Sequence, residues 1–263
     1  MARKRKLKPK MSKRERIFFR YISLIAAVAL VISLTVYAYH THAEPTNRIG
    51  IISIENSIYD FRYASKAEAA LNDSSIEAVV VSINSPGGGA NSCLQTEEQL
   101  RRLADEKPVV VIMGEHATSG AYLVGSASDY IYACTQTLTG GLGVIAVWPS
   151  YENHYKQEGI KYYVWKSGTS KDRWASWRGP TENENKKIQE LIDEYADELF
   201  NRIVANRPET ENTIDSLRDG STVVGHEAIG YNLVDELGTY QDALEKAADM
   251  AGLKSGEYQT KKI

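Results

Sequence analysis

One long apolar stretch near the start is followed by short apolar runs alternating with segments whose apolar residues recur every three or four positions. Runs bounded by turn-forming residues predict buried strands at 48–56 ("RIGIISIEN"), 77–84 ("EAVVVSIN") and 107–114 ("KPVVVIMG"). "YIYAC" (130–134) and "LGVIAVW" (142–148) read as further strands, followed by a helical turn near 151–158 and then "KYYVWK" (161–166). Between the runs, helices are predicted at 64–73, around Leu94, Leu100 and Leu103, and at 119–129. Ile188, Leu191, Ile192, Tyr195, Leu199 and Ile203 share one face of a long helix, which should pack on the body. Strands alternating with helices predict an α/β fold with a mostly parallel sheet covered on both faces. A single domain over 48–263 is the simplest parse.

The long stretch, "YISLIAAVALVISLTVYAY" (21–39), holds no charged residue. At about 1.5 Å per residue it spans roughly 28 Å, the thickness of a bilayer's hydrocarbon core. Phe18, Phe19 and Tyr21 at one end and Tyr37 and Tyr39 at the other suit the two interfaces. Residues 1–20 carry ten Lys/Arg against Glu15 alone, which places them in the cytoplasm and the body across the membrane. A cleaved secretory signal is the competing reading, because "THA" (41–43) resembles a cleavage site. The length of the apolar stretch favours an uncleaved anchor, with 40–47 a short polar linker. On either reading the body is exported.

The net charge of −3 conceals an asymmetry: beyond residue 20 the chain has 21 basic and 33 acidic residues, a balance of −12. Such a body is unsuited to nucleic acid. Cys93 and Cys134 are the only cysteines, and no Cys/His spacing points to a metal site. Both read as buried free thiols.

Two glycine-rich turns each follow a buried strand: "NSPGGGA" (84–90) and "GEHATSGAY" (114–122). In a parallel sheet both lie on the carboxyl edge, where sites form and where consecutive N–H groups can hold an oxyanion. Ser119 opens a helix, a place where serine is commonly an N-cap, and it fits neither G-x-S-x-G nor S-x-x-K. His116 offers the nearest imidazole, yet it sits in the turn just before the serine with no acid evidently placed to orient it.

"INSPGGGA", "ATSGAYLVGSASDYIYA", "TLTGGLGV", "WKSGTSKD" and "NLVDELG" occur in this order over most of 48–245. Together they resemble the signal peptide peptidase A family of membrane-anchored serine peptidases. The resemblance implies a crotonase-like, Clp-protease-like α/β spiral assembled into homo-oligomeric rings, attached to a prokaryotic plasma membrane by one N-terminal helix, with the catalytic domain extracytoplasmic. It implies Ser119 as nucleophile and Lys171, 52 residues downstream, as general base. It places oxyanion donors on Gly87 or Gly88 and on Gly120, and requires no cofactor or metal. The implied substrates are released signal peptides or other membrane-proximal peptides, with small or apolar side chains in the S1 pocket. A lysine acts as a base at neutral pH when burial disfavours its cation. The aromatics of "KYYVWKSGTSKDRWASW" could supply the dry wall.

Two positions depart from the family pattern. Gly141 stands where a serine hydroxyl commonly orients the lysine, with Thr139 a candidate substitute, and Ala121 replaces a usual glycine. The stomatin-cleaving membrane peptidases share the two turns and are a same-fold alternative. An oligomeric scaffold weakened or inactivated through Gly141 is the alternative of another class.

Overall fold

The computed structural model describes residues 12–42 and 47–263, with side chains 38–42 outside that description. Most of the basic run before Lys13 and linker positions 43–46 therefore lie outside the described residues. The chain divides into two units, 1–45 and 46–263. In the first, helix α1 (Lys13–His42) contains an 18-residue window of mean hydropathy 2.3 and is unburied. By length and composition it can cross a membrane, a test that a signal sequence also passes.

In the second unit, β1 (Arg48–Glu55), α2 (Arg62–Asn72), β2 (Ile76–Ser85), α3 (Ala90–Ala104) and β3 (Val109–Thr118) follow the predicted alternation. They are succeeded by α4 (Gly120–Ser126), β4 (Tyr130–Ala133), β5 (Leu138–Gly140), α5 (Glu152–Gln157) and the 25-residue α6 (Glu182–Asn206). The last part holds β6 (Thr222–Val224), α7 (Gly225–Ala228), β7 (Glu236–Leu237), α8 (Tyr240–Met250) and β8 (Gln259–Lys262).

The sheet runs β6-β5-β3-β2-β1-β8, with β4 beside β3 and β7 beside β4. Only the β5–β6 pair is antiparallel. Side-chain alternation sorts the strands' apolar residues onto two faces. Val79, Val81, Ile83, Val111 and Met113 form one core with the helices α2, α3, α4 and α6. Val80, Val110 and Ile112 meet Ala243, Leu244 and Ala247 of α8 on the other face.

β3 divides its partners. Val110–Met113 pairs with β4, while His116–Thr118 pairs with β5. Against β2 the register runs from Ile83–Met113 to Ser85–Ala117, so β3 holds two extra residues there. That bulge redirects the end of the strand, and Ser119 follows immediately.

Three expectations are corrected. The segment 142–148 forms no strand. That segment, like 161–166, finds no ladder partner among the described residues, and Ile145 and Trp165 are 85% and 88% exposed. The long helix buries Leu199, Phe200 and Ile203 in the body, with Val204 partly buried beside them, and leaves Leu191 and Tyr195 open. Cys93 is buried but Cys134 is exposed, and both are free thiols.

Candidate functional site

The two glycine turns meet at the carboxyl edge of β2 and β3. Ser119 has φ 56° and ψ −127°, a left-handed conformation rare for a residue with a side chain. Such a conformation costs of order 1–3 kcal/mol and persists only where the surroundings enforce it. Here the Ser119 N–H donates to Gly140 O at 2.8 Å, and its carbonyl accepts from Leu123 N at 3.1 Å. The hydroxyl does not cap α4; its nearest acceptor is Gly143 O at 3.5 Å. The strained backbone thus presents Oγ outward instead of folding it back onto the helix.

The Pro-Gly-Gly turn packs directly behind this corner. Gly87 has φ 97°, and a Cβ there would lie 2.9 Å from the Gly120 nitrogen. Its own N–H donates to Ser85 Oγ at 3.2 Å. Gly88 bridges to Ile58, and a Cβ on Gly88 would overlap the Ile58 carbonyl oxygen. A Cβ on Gly120 would overlap Cys93 Sγ. Burial raises the Cys93 thiol pKa to about 11, so it stays protonated and serves as packing. The N–H groups of Gly88 and Gly120 have no acceptor among the described residues. Of the two glycines left open by the sequence, Gly88 has its donor free and Gly87 does not.

Gly88, Ser119 and Gly120 line one cleft of about 450 Å³. Its walls are largely apolar: Leu94 from α3, Leu123 from α4, Val144 and Ile145 from the following loop, and Leu191 and Tyr195 from α6. The exposed half of the α6 stripe is therefore cleft wall, which periodicity alone reads as core. Buried Glu97 on α3 accepts from Arg202 at 2.8 Å and Asn206 at 2.9 Å, fixing the two helical walls together. A second depression of about 610 Å³ lies over Gln95, Glu98, Arg102 and Arg202, whose charges already pair with one another. It holds no nucleophile.

Lys171 is not among the residues lining the cleft. It lies in the loop between α5 and α6, exposed, with its N–H on Gly168 O at 3.1 Å and no side-chain partner among the described residues. The aromatics expected to enclose it pack on one another instead. Trp148 and Trp174 approach to 5.1 Å between ring centres, and Tyr162 stacks on Trp177 at 5.3 Å. His116 is also exposed, with its backbone N–H on Asn84 Oδ1 and no bond from its ring to Ser119 among the described residues. The Thr139 hydroxyl is fully buried and donates to Ala117 O at 2.8 Å, so it is committed elsewhere. Gly141 has φ 58° with Thr118 and Thr222 beside the space a side chain would take. Ala121 is fully buried and outside the cleft lining.

Residues 101–254 match the family model described as peptidase family S49. A candidate signal peptide peptidase SppA of Enterococcus faecium is 31% identical over 66% of this chain and 51% of its own length. Protease 4 of Haemophilus influenzae is 30% identical over 80% of the chain and 36% of its own length. Protease 4 of Salmonella typhi is 33% identical over 83% and 37%. The chain thus spans between about a third and a half of the length of these relatives. Among solved structures, a mutant of the 1510-N membrane-bound stomatin-specific protease superposes with a TM-score of 0.52 at 13% identity. That match covers 82% of this chain and 97% of the other, and at such identity it speaks for the fold alone.

Proposed function

The chain belongs to peptidase family S49, in its signal peptide peptidase A branch, and from that premise we propose that it is a membrane-anchored serine endopeptidase working through a Ser119–Lys171 dyad. Ser119 Oγ attacks the scissile carbonyl and Lys171 takes its proton. The N–H groups of Gly88 and Gly120 stabilise the tetrahedral anion. Lys171 then returns the proton to the leaving amine, and water releases the acyl group by the same route in reverse. The observation that carries this reading is the serine's backbone: φ 56°, no capping bond, and two unused donors beside it in the same cleft.

The apolar cleft suits extended peptides with small or apolar side chains, and released signal peptides meet that description. With α1 as an uncleaved anchor, residues 1–20 are cytoplasmic, 40–47 form the linker, and the peptidase domain of 48–263 is extracytoplasmic. Ring assembly supplies the environment that Lys171 lacks in a single chain. Contacts between copies cover the exposed loop of Ile145 and Trp165 and remove the lysine from water, which makes it a base at neutral pH.

The test is turnover of a fluorogenic apolar peptide, together with fluorophosphonate labelling, on the full chain in detergent or vesicles. Ser119→Ala and Lys171→Ala should each abolish turnover, and the probe should label the wild type at Ser119. Activity surviving in Lys171→Ala removes the dyad. A folded, assembled wild type that never labels identifies a scaffold.

A further inference from the structure

We propose that Asp172, Arg178 and Glu184, joined by Lys166, form a positioning relay that fixes the Lys171 segment to the start of α6 and hence to the wall of the cleft. The inference rests on the assignment of Lys171 as the base.

Arg178 lies between two carboxylates. Its Nε and one terminal nitrogen donate to Asp172 at 3.1 and 3.0 Å, and its two terminal nitrogens donate to Glu184 at 2.8 and 2.9 Å. Lys166 Nζ adds a bond to Asp172 at 2.7 Å. The Asp172 and Glu184 side chains are only 9% and 7% exposed. Glu184 also closes the α6 capping box, accepting from Thr181 N at 2.9 Å while its own N–H donates to Thr181 Oγ1. On the other side the guanidinium lies 5.2 Å from the centre of the Trp148 ring, and Trp148 Nε1 donates to Ala175 O at 2.9 Å. Each end of this network reaches a functional element. Asp172 adjoins Lys171, and α6 carries Leu191 and Tyr195 into the cleft.

Stability alone is a poor reason for such a cluster. Three charges largely withdrawn from water add little net stability over an apolar cluster of equal size. A planar guanidinium bonded at both ends instead imposes one geometry, which a lysine cannot reproduce. The network has a second effect. Arg178 and Lys166 are the charged groups bonded to Asp172, and between them they occupy both of its oxygens. The carboxylate adjoining Lys171 is therefore held away from it.

All four tryptophans lie between 148 and 177, so tryptophan emission reads this segment separately from the sheet. In the full chain, Asp172→Asn and Arg178→Lys should each lower kcat about tenfold or more with KM within about threefold. Arg178→Lys, which loosens Asp172 toward Lys171, should also move the acid limb of the pH profile up by about half a unit. Asp172→Asn should give no upward shift. Glu184→Gln keeps one acceptor for the cap but loses half of the fork to Arg178, and should lower kcat in the same direction by a smaller factor of about threefold. Unchanged kcat and acid limb in both Asp172→Asn and Arg178→Lys would overturn the relay. So would losses that merely track red-shifted emission while the pH profile stays fixed. Lys171→Ala separates the failures: if it is active, the dyad itself falls. If it is inactive beside unaffected relay variants, only the relay falls.

Discussion

The serine corner and the lysine loop are built by opposite means. Ser119 sits where three parallel strands and two glycine turns converge, and its own N–H and carbonyl are both hydrogen-bonded. The sheet dictates its strained φ. Lys171 stands on a segment with no strand, held by its own aromatic pairs and by a chain of charges, with large apolar side chains in water. The proposed nucleophile is thus preorganised within one chain, whereas its proposed base is organised only as far as the start of α6. The difference places adjustability in the lysine loop and rigidity in the serine corner.

Gly88→Ala tests the rigid side most severely. The new Cβ overlaps the Ile58 carbonyl, so the turn must move and its N–H leaves the site. Loss of one oxyanion donor predicts a drop of about 100-fold or more in kcat, measured against a control for folding. Near-normal turnover would mean that the corner is not the fixed element described here. Gly120→Ala presses on Cys93 Sγ and should cost about tenfold, with partial recovery in Gly120→Ala/Cys93→Ala because the two sites share one space.

Acid should separate the two regions without mutation. Arg178 holds the Glu184 carboxyl down at about 2 and that of Asp172 well below the usual carboxylate range. A carboxylate with a lowered folded pKa stabilises above its unfolded value and loses that contribution as pH falls through the folded one. Tryptophan emission should therefore hold steady down to about pH 5 and shift red between about 4.5 and 2. A shift already at pH 6 would contradict the charge-held segment. The smallest effect is expected for Gly141→Ser. Its φ of 58° and a Cβ 3.1 Å from Thr222 Cγ2 predict a loss of about 1 kcal/mol, read as a lower Tm. A higher rate despite that loss would show that a hydroxyl at 141 assists the lysine.

The strands of the central sheet were legible because Val79–Ile83, interrupted only by Ser82, and Val109–Met113 are apolar runs of the kind a sheet covered on both faces requires. The glycine turns were legible as a site because they end adjacent strands, although only coordinates separate Gly87, already bonded to Ser85, from Gly88. Residues 142–148 were misread as a strand because apolar composition records that a segment is to be covered, not by what. The α6 stripe was misread for the same reason: Ile203 and Leu191 look alike in periodicity, yet one is buried in the core and the other lines the cleft. Arg178 carried no signal, since its two partners lie six residues to either side.

The divided pairing of β3 means that the core and Ser119 are spaced by different parts of one strand. Val110–Met113 is locked by β4, whereas Thr118 and Ser119 take their setting from β5 and Gly140. The two surplus residues between them act as a length of shim. Deleting Glu115 would leave the core half seated while turning the serine's side chain toward the opposite face of the sheet. A family of enzymes built on this frame could vary its sheet freely, but not the number of residues in that short bulge.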